Sequence, residues 1–574
     1  MISVQNRHLR LNGNNTDFSK LYLLQNVSQY GNIINSMNNY IMKRKILETL
    51  FVLLTILVLS STLSAQQTLN DGAFKFGRTL GMIDAFYVDS VNLNTLTETA
   101  IIEVLRSLDP HSSYISAKDV KDMNEPLNGN FEGIGIQFNI LHDSIIVIEP
   151  LPKGPSEKVG LLAGDRIVAI NDEKVAGVKI STSGVRSRLM GPKGTKVNLT
   201  IFRKGENKLL AFTITRDKIP IYSLDASYMI NNETGYIKLN KFAATTENEF
   251  TNALSGLSNT NLKNIIVDLR GNPGGYMMAA VNIANQFLSG EKLVVYMQGR
   301  RTPREEYKSA GNGTLTKTKL VVLMDEGSAS ASEIFAGAIQ DWDRGIIIGR
   351  RSFGKGLVQR GFNLTDGSEI RLTVARYYTP TGRSIQSPYN EGYEKYMQNF
   401  YKRFSDGELM SADSTHFPDS LKYSTNINHR KVYGGGGIMP DVFVAADTSN
   451  YSDYYRDLIR KGVFASFILE YADKNRAKIK SSYPKFDDFK NKFNFSAEEV
   501  DNFTKAAEKT GVKFNEKQFA VSKDEILKIL KALVANEIWR TTEYYRIVNE
   551  GDVVIEKALK VLSDNKDYNN ILGY

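Results

Sequence analysis

Two side chains, Ser330 and Lys355, stand where the sequence could supply a nucleophile and its base. An apolar strand is expected at residues 320–324, followed by a turn of small residues at 327–330. Ser330 is the last residue of that turn, and an expected helix begins there. Lys355 lies in the glycine-rich loop 352–356, after a second apolar run. A serine hydroxyl is a weak nucleophile that needs a base within hydrogen-bond reach. A lysine can be that base when burial lowers the pKa of its amine.

Each of these residues also has a structural interpretation. Ser330 and Glu333 have the spacing of a helix capping box, and most lysines are solvated surface residues. Gly349 to Lys355 nearly matches a phosphate-binding loop, which would indicate a nucleotide hydrolase. That loop needs a Ser or Thr after its lysine to hold magnesium, whereas Gly356 follows here. The hydrolytic interpretation is therefore favoured over the nucleotide one.

The rest of the sequence offers no competing nucleophile or base beside these two segments. The chain has no cysteine, and its five histidines lie far from both segments in sequence (His8, His111, His142, His416 and His429). A second strand-to-helix turn, at residues 270–275, is rich in glycine. Backbone N–H groups at such a turn suit an oxyanion, so we expect donors from Ala331, Gly274 and Gly275. The alternative is that these glycines serve only the geometry of the turn.

The elements around these segments predict a layered core of strands and helices. Two strand–turn–helix units contain the 264–288 and 320–339 segments, and an alternating strand follows at 369–377. Residues 123–130 are expected to be a linker and the polar residues 387–430 an insertion. From residue 446 onward the pattern is helical, with helices expected at 453–473, 497–510, 523–545 and 553–562. This region is expected to serve in packing, oligomerisation or docking, because its sequence contains no set of residues that indicates a catalytic or binding site.

About ninety residues, 128–218, resemble a PDZ domain. The Gly133-Ile134-Gly135-Ile136 segment matches the loop that binds a terminal carboxylate in that family, and Leu161-x-x-Gly164-Asp165-x-Ile167 is a second match. Glycine allows consecutive N–H groups to point at a carboxylate, and the adjacent strand edge accepts an extended peptide. Such a domain implies recognition of C-terminal tails.

The N-terminus predicts export. Residues 43–45 are basic, 50–59 are apolar and 60–65 are small, which is the layout of a signal peptide at 42–65. Residues 1–41 are Asn-rich and are expected to precede the true start, Met42. The net charge is +9, and the six basic and two acidic residues before Gln66 leave only +5 for the remainder. That charge gives little support for nucleic-acid binding. We therefore expect a periplasmic protein, anchored in the inner membrane if the signal stays uncleaved.

Taken together, these segments resemble the carboxyl-terminal processing proteases, the tail-specific Ser–Lys peptidases. The matching motifs occur in the family's order and cover roughly residues 75–445. They are Asp268-Leu269-Arg270-Gly271-Asn272-Pro273-Gly274-Gly275, Gly327-Ser328-Ala329-Ser330-Ala331-Ser332-Glu333, Phe353-Gly354-Lys355-Gly356-x-Val358-Gln359, Thr379-Pro380-x-Gly382-Arg383-x-Ile385-Gln386 and Gly437-Ile438-x-Pro440-Asp441-Val442.

The resemblance implies a fold and roles for particular residues. The fold is α+β and multidomain: a ClpP/crotonase-like protease core at 219–445 with an inserted PDZ domain, an N-terminal helical region at 66–127 and a helical region at 446–574. Ser330 is then the nucleophile, Lys355 the general base and Gln359 the residue that positions the lysine. Asp341 matches an acid of structural role. Met190 stands where many members have an arginine, so gating of the site by peptide is expected to differ.

The function expected is an exported serine endopeptidase that binds protein tails through its PDZ domain and needs no cofactor or metal. Its expected partners are protein substrates, with an adaptor or a second copy at the C-terminal helices and no nucleic acid. The alternative is a catalytically silent PDZ scaffold that only holds peptides.

Overall fold

The computed structural model describes residues 37, 41–45, 47–51, 71–258 and 260–574. Within the expected signal peptide it describes only 42–45 and 47–51, which are helical. The remainder of that segment, with its expected cleavage point near Ala65, lies outside the described residues. Among the helices that are described, none is long and apolar enough to span a bilayer. The chain divides into two units, residues 1–100 and 101–574.

The first unit contains a helix at 71–86, within the region 66–127 that was expected to be helical. The next helix, Leu93–Arg106, begins in this unit and ends in the second. In the second unit, residues 123–130 are not the expected linker, because a helix spans Val120–Asn128. Pro126 and two Asn residues, Asn124 and Asn128, hide this helix from sequence patterns. Gly129, with φ 72°, ends it in the left-handed conformation that glycine adopts without strain.

A six-stranded sheet forms the centre of the second unit. Its first two strands run antiparallel to each other, and every other pair of neighbouring strands is parallel. In spatial order they are Leu224–Met229, Thr234–Leu239, Asn264–Asp268, Lys319–Met324, Ile346–Gly349 and Val442–Phe443.

Helices cover both faces of this sheet, so its central strands are apolar throughout, as parallel strands usually are. Ile265 and Val267 face one layer of helices, and Ile266 faces the other. The first layer is Thr246–Ser258, Met277–Asn285 and Ala331–Asp341. The second layer is Val553–Ser563 and Asn565–Leu572, from the far end of the chain.

A second sheet lies beside the core and carries the hairpin after Lys355. The hairpin strands are Leu357–Asn363 and Glu369–Tyr378, paired antiparallel. Strand Ser113–Ile115, from the N-terminal region, pairs with the longer of the two. The remaining strands of this sheet are Leu293–Gln298 and Glu305–Lys308, and two short pairs elsewhere are Ser289–Gly290 with Gly311–Asn312 and Lys422–Ser424 with Lys431–Tyr433.

The chain runs into and out of residues 134–216 through two paired strands, Asn130–Gly133 and Asp217–Pro220. Between them lies a separate six-stranded sheet around its own apolar core. Its strands are Ile136–Leu141, Ser144–Pro150, Arg166–Ile170, Glu173–Lys174, Lys196–Phe202 and Leu210–Thr215, and its helices are Pro155–Lys158 and Thr182–Leu189.

The polar residues 387–430 include a helix, Tyr393–Ser405, and two short 3₁₀ turns, Ala412–Ser414 and Asp419–Leu421. Residues 451–548 form a helical bundle with an aromatic core. Its helices are Asp453–Arg460, Val463–Ser482, Phe486–Lys492, Ala497–Lys509, Glu516–Ile538 and Thr541–Val548. The single helix expected at 453–473 is two helices, because Gly462 takes a left-handed φ of 65° between them.

The bundle contacts the inserted domain on the side of the strand Ser144–Pro150. Arg166 of that domain forms an ion pair with Asp473 of the bundle, at 3.0 Å and partly buried. A small cleft between the two is lined by Ile146, Ile148, Leu469 and Arg476, among others.

Candidate active site

Ser330 stands on a sharp turn between a central strand and a buried helix. The strand Lys319–Met324 leads into the turn, and the helix Ala331–Asp341 begins directly after the serine. Ser330 has φ 54° and ψ −113°, a conformation that costs free energy in a residue with a side chain. A serine strained on a strand-to-helix turn presents its hydroxyl outward, as in nucleophile elbows.

The carboxylate of Glu333 ties this turn to the loop of Lys355. Its side chain is fully buried. It accepts the backbone N–H of Ser330 at 2.7 Å and that of Lys355 at 2.9 Å. It also accepts the N–H of Gly354 at 2.7 Å and the hydroxyl of Ser352 at 2.5 Å. Burial raises the pKa of Glu333 to about 7, although these donors act to lower it.

Tyr377 makes a second connection between the two segments. Its hydroxyl contacts the carbonyl oxygen of Ser330 at 3.1 Å and also that of Lys355. The side chain is buried, and burial raises the pKa of the phenol well above its ordinary value. The phenol therefore stays protonated as a donor. The expected capping box is present in one of its two hydrogen bonds, the one from the Ser330 N–H to the Glu333 side chain. This bond belongs to a larger set of contacts, made by Glu333 and Tyr377, that fixes the backbone of both Ser330 and Lys355.

Both candidate residues line one cavity of about 1170 Å³. Gln359, Gly274 and Gly275, also expected from the sequence, lie in its wall. Much of the remaining wall is apolar and includes Met123, Leu127, Met277, Ile334 and Leu357. A large cavity with apolar walls and a few polar groups suits an extended peptide.

The surroundings of Lys355 lower the pKa of its amine. Burial lowers the pKa of the amine, and the charge of Arg371 acts in the same direction. Glu333 and Asp109 oppose this by raising the pKa of Lys355, but the net direction is downward. A lowered pKa is the change that the role of general base requires of a lysine.

The glycine turn packs directly against Ser330. A Cβ atom on Gly274 would lie 2.6 Å from the carbonyl oxygen of Ala329 and 2.8 Å from both the Ser330 Cβ and the Ala331 nitrogen. The N–H of Gly274, however, donates to Asn272 Oδ1 at 2.9 Å. That N–H is therefore already paired with the side-chain carbonyl of Asn272, and its expected role as an oxyanion donor stays a prediction. Gly275 and Ala331 remain the candidate donors.

Gln359 lines the cavity, but its amide nitrogen donates to Thr373 Oγ1 at 3.1 Å. The role expected for it, positioning Lys355, stays a prediction. Asp341 is fully buried and forms an ion pair with the fully buried Arg383 at 2.7 Å. It also accepts the N–H and hydroxyl of Thr381. Asp341 therefore holds the 379–383 loop in place.

Sequence reasoning missed two residues of the 109–112 loop, one in the cavity wall and one behind it. His111 lies in the cavity wall, and Tyr396 Oη is 3.2 Å from its Nε2. Burial and the charge of Lys355 lower the pKa of His111 to about 4, so its ring is neutral near pH 7. Asp109 reaches Gln359 through Thr373. The sequence signal there is Leu108-Asp109-Pro110-His111, whose proline predicts only the end of a helix.

A second groove, of about 200 Å³, lies in the inserted domain. Ile134, Gly135 and Ile136 line it together with Phe138 and Leu189. Gly135 has a φ of 71°, as expected of a loop that turns its N–H groups toward a ligand. Gly133 differs from the other three expected residues, because it pairs with Asp217 in the strand leading into the domain.

Met190, at the position where an arginine is frequent, lies in the wall of the same groove together with Arg186. No cluster of three or more His, Asp or Glu side chains that could hold a metal ion occurs among the described residues.

Comparison with known families agrees with this architecture. The profile of Peptidase family S41 matches residues 233–392, and that of the PDZ domain matches residues 133–214. Residues 454–540, within the helical bundle, match a family of unknown function (DUF8443).

Several curated proteins are similar over most of their length. The carboxy-terminal-processing protease of Bartonella bacilliformis is 38% identical over 339 residues, which are 58% of this chain and 77% of that protein. The carboxy-terminal processing proteases CtpA and CtpB of Bacillus subtilis are 33% and 35% identical. The match with CtpA covers 60% of this chain and 76% of CtpA, and the match with CtpB covers 54% and 65%.

Two solved structures are also similar. The photosystem II D1 C-terminal processing protease is 29% identical with a TM-score of 0.31, covering 54% of this chain and 89% of that one. The PDZ domain of a carboxy-terminal protease from Vibrio cholerae, solved in complex with peptide, is 32% identical with a TM-score of 0.15, covering 16% and 97%.

The matched profiles define a serine peptidase of family S41 that carries a PDZ domain. Within that class, the chain belongs to the carboxy-terminal processing proteases. The fold class expected from the sequence, a protease core with a PDZ domain and a helical C-terminal region, is confirmed.

Proposed function

We propose that this chain is an exported endopeptidase that binds the C-terminal tails of proteins in its PDZ groove and cleaves them with Ser330 and Lys355. The observation that carries the proposal is that the same two residues hold Ser330 and Lys355 in place. Glu333 accepts the backbone N–H groups of both, and the Tyr377 hydroxyl contacts their carbonyl oxygens. Both Ser330 and Lys355 also line one cavity. The names of the curated relatives, which describe carboxy-terminal processing, support the tail specificity.

The residues suggest a two-step acyl transfer. The neutral amine of Lys355 removes the proton of Ser330 Oγ as that oxygen attacks the peptide carbonyl. The oxyanion accepts hydrogen bonds from the N–H groups of Gly275 and Ala331. Lys355 then gives its proton to the leaving amine, and an ester on Ser330 remains. Water, deprotonated by Lys355, hydrolyses the ester and restores both residues.

The PDZ groove supplies the specificity in this proposal. Its apolar wall, with Ile134, Ile136 and Leu189, suits an aliphatic side chain at the end of a tail. The turn at Gly135 directs N–H groups toward the terminal carboxylate. Export rests on the pattern of residues 42–65, which predicts delivery to the periplasm.

Cleavage of one unfolded protein with two different tails tests this function. The full chain should degrade the version ending in apolar residues faster than the version ending in Asp, because only the first fits the groove. Ser330→Ala should slow cleavage at least about a thousandfold, because it removes the nucleophile. Ser255→Ala, at an exposed helical serine, is the matched control and should cleave like wild type.

A wild-type chain that binds the apolar tail without cleaving it would favour the silent scaffold instead. Equal cleavage by Ser330→Ala and wild type would remove Ser330 from the mechanism. Export is tested separately, by locating the full chain in periplasmic, membrane and cytoplasmic fractions; recovery only from the cytoplasm would contradict it.

A further inference from the structure

Gln359 is held by a residue directly across the hairpin. Gln359 and Thr373 are partners in the antiparallel register of Leu357–Asn363 and Glu369–Tyr378. The amide nitrogen of Gln359 donates to Thr373 Oγ1 at 3.1 Å. The Thr373 hydroxyl in turn donates to Asp109 Oδ1 at 3.0 Å. A chain of hydrogen bonds therefore leads from the cavity wall to a carboxylate.

Asp109 is buried and is fixed by its own loop. Its Oδ1 also accepts the N–H groups of His111 and Ser112, each at 2.8 Å, and its Oδ2 accepts the Ser112 hydroxyl at 2.6 Å. The Ser112 Oγ accepts the backbone N–H of Thr373 at 3.0 Å. The loop therefore accepts hydrogen bonds from both the side chain and the backbone of Thr373, which fixes Asp109 relative to that residue.

The donors and acceptors in this chain can be arranged in only one direction. An ionised carboxylate only accepts, so Thr373 must give its single hydroxyl proton to Asp109. The lone pairs of Thr373 Oγ1 then accept from Gln359, which must present its NH₂ group. The carbonyl oxygen is the opposite end of that amide, and it is an acceptor suited to the amine of Lys355.

We infer that Asp109, acting through Thr373, orients the amide of Gln359 so that its carbonyl oxygen is the end available to Lys355. Asp109 and Thr373 are then positioning residues, and the N-terminal 109–112 loop is part of the active site. This inference rests on the proposed function, in which Lys355 is the base.

A double-mutant cycle on Thr373 and Gln359 tests the inference in the full chain. Thr373→Val keeps the shape of the side chain but removes the hydroxyl. It should lower kcat about tenfold to a hundredfold, because small displacements of a positioned group cost that much, and it should leave KM unchanged. Thr373→Ser keeps the hydroxyl and should restore most of the activity. The double variant Thr373→Val with Gln359→Ala should be no slower than Gln359→Ala alone, because Thr373 acts through Gln359.

Thr213→Val is the matched control. Thr213 also faces an amide across an antiparallel pair, because its hydroxyl donates to Asn198 Oδ1 at 2.8 Å in the PDZ domain, away from the groove. It should leave kcat unchanged. If Thr373→Val has no more effect on kcat than this control, or if its effect multiplies that of Gln359→Ala, the inference is overturned.

Two further measurements keep the outcomes distinct. If Thr373→Val does not fold, Asp109→Asn replaces it in the cycle, since its NH₂ group can donate to Thr373 and release the amide of Gln359; the same criteria apply. Failure of the proposed function looks different: Ser330→Ala would then cleave as fast as wild type. Loss of cleavage in Ser330→Ala together with normal kcat in Thr373→Val refutes the inference alone.

Discussion

Glu333 accepts the backbone N–H of Lys355 at 2.9 Å and so joins the helix that follows Ser330 to the loop that carries the lysine. The same carboxylate accepts the N–H of Ser330 itself. One buried acid thus sets the spacing between two residues that are far apart in sequence. It acts on the site by holding the backbone of both residues, and its charge also raises the pKa of Lys355.

Glu333→Gln should lower both activity and stability. Glutamine offers one acceptor oxygen and one NH₂ group, so some of the four donors around Glu333 lose their partner. Each unsatisfied buried donor costs about 1–3 kcal/mol. We expect a melting temperature several degrees lower and at least about a tenfold loss of kcat. Glu326→Gln, at a partly buried acid paired with Arg350, is the matched control.

The pH dependence of stability gives a sharper test of Glu333. Its pKa rises from 4.5 to about 7 in the folded chain, so the folded state keeps a proton that the unfolded state loses. This contribution is fully present below pH 4.5 and is lost as the pH rises toward 7, by about 3 kcal/mol in total. Melting curves from pH 4 to 8 should show this decline in wild type and not in Glu333→Gln. A constant difference between the two proteins would contradict it.

Arg371→Gln should move the acid limb of the activity profile to higher pH. Arg371 lowers the pKa of Lys355, so its removal lets that pKa rise. A base must be neutral to act, so activity is lost below its pKa. The measurement is kcat/KM against pH with a peptide substrate. Arg360→Gln, an exposed arginine on the same hairpin, should leave the limb in place; an equal shift in both variants would point to a general surface effect.

Gly274→Ala should inactivate the enzyme with little effect on peptide binding to the PDZ groove. Its Cβ would meet the backbone of Ala329 and Ala331 and the Cβ of Ser330 at 2.6–2.8 Å, so the turn must shift. A displacement of about 1 Å at a reacting group costs roughly a hundredfold in rate. Gly271→Ala is the matched control, since Gly271 has a φ of 67° and open space at its Cβ position. It should cost about 1–2 kcal/mol of stability and little activity.

Breaking the ion pair of Arg383 and Asp341 should destabilise the core. Both side chains are fully buried, so Arg383→Met leaves the charge of Asp341 without its partner. We expect a loss of about 3–5 kcal/mol. Replacing both residues, with Asp341→Leu added, should recover part of that loss, because apolar groups need no partner. Urea unfolding of the single and double variants measures this; a double variant less stable than Arg383→Met would contradict the argument.

The sequence predicted the parts of the site that depend on local patterns. The apolar strands before Ser330 and Gly271 are central strands of one parallel sheet, and the carboxyl ends of such strands meet at one edge. That geometry brings the two turns together without any long-range information. The hydrogen bond that Asn272 accepts from the N–H of Gly274 could not be predicted in this way, because a side-chain bond of this kind has no periodic signal.

The parts that were missed depend on contacts between distant segments. Asp109 and Thr373 are 264 positions apart, and nothing in either segment indicates the other. The helix Val120–Asn128, which supplies Met123 and Leu127 to the cavity wall, was obscured by its composition. The role of the last two helices was equally invisible, because their amphipathic pattern does not say which surface they cover.

Those last two helices determine how the enzyme can be shortened. Val553–Ser563 and Asn565–Leu572 cover the sheet face that carries Tyr236, Ile266 and Val321. A version trimmed to residues 233–392, the stretch shared with other S41 peptidases, would expose that face to water. We expect such a fragment to aggregate on expression. We therefore expect the minimal catalytic unit of this protein to include its distal helices.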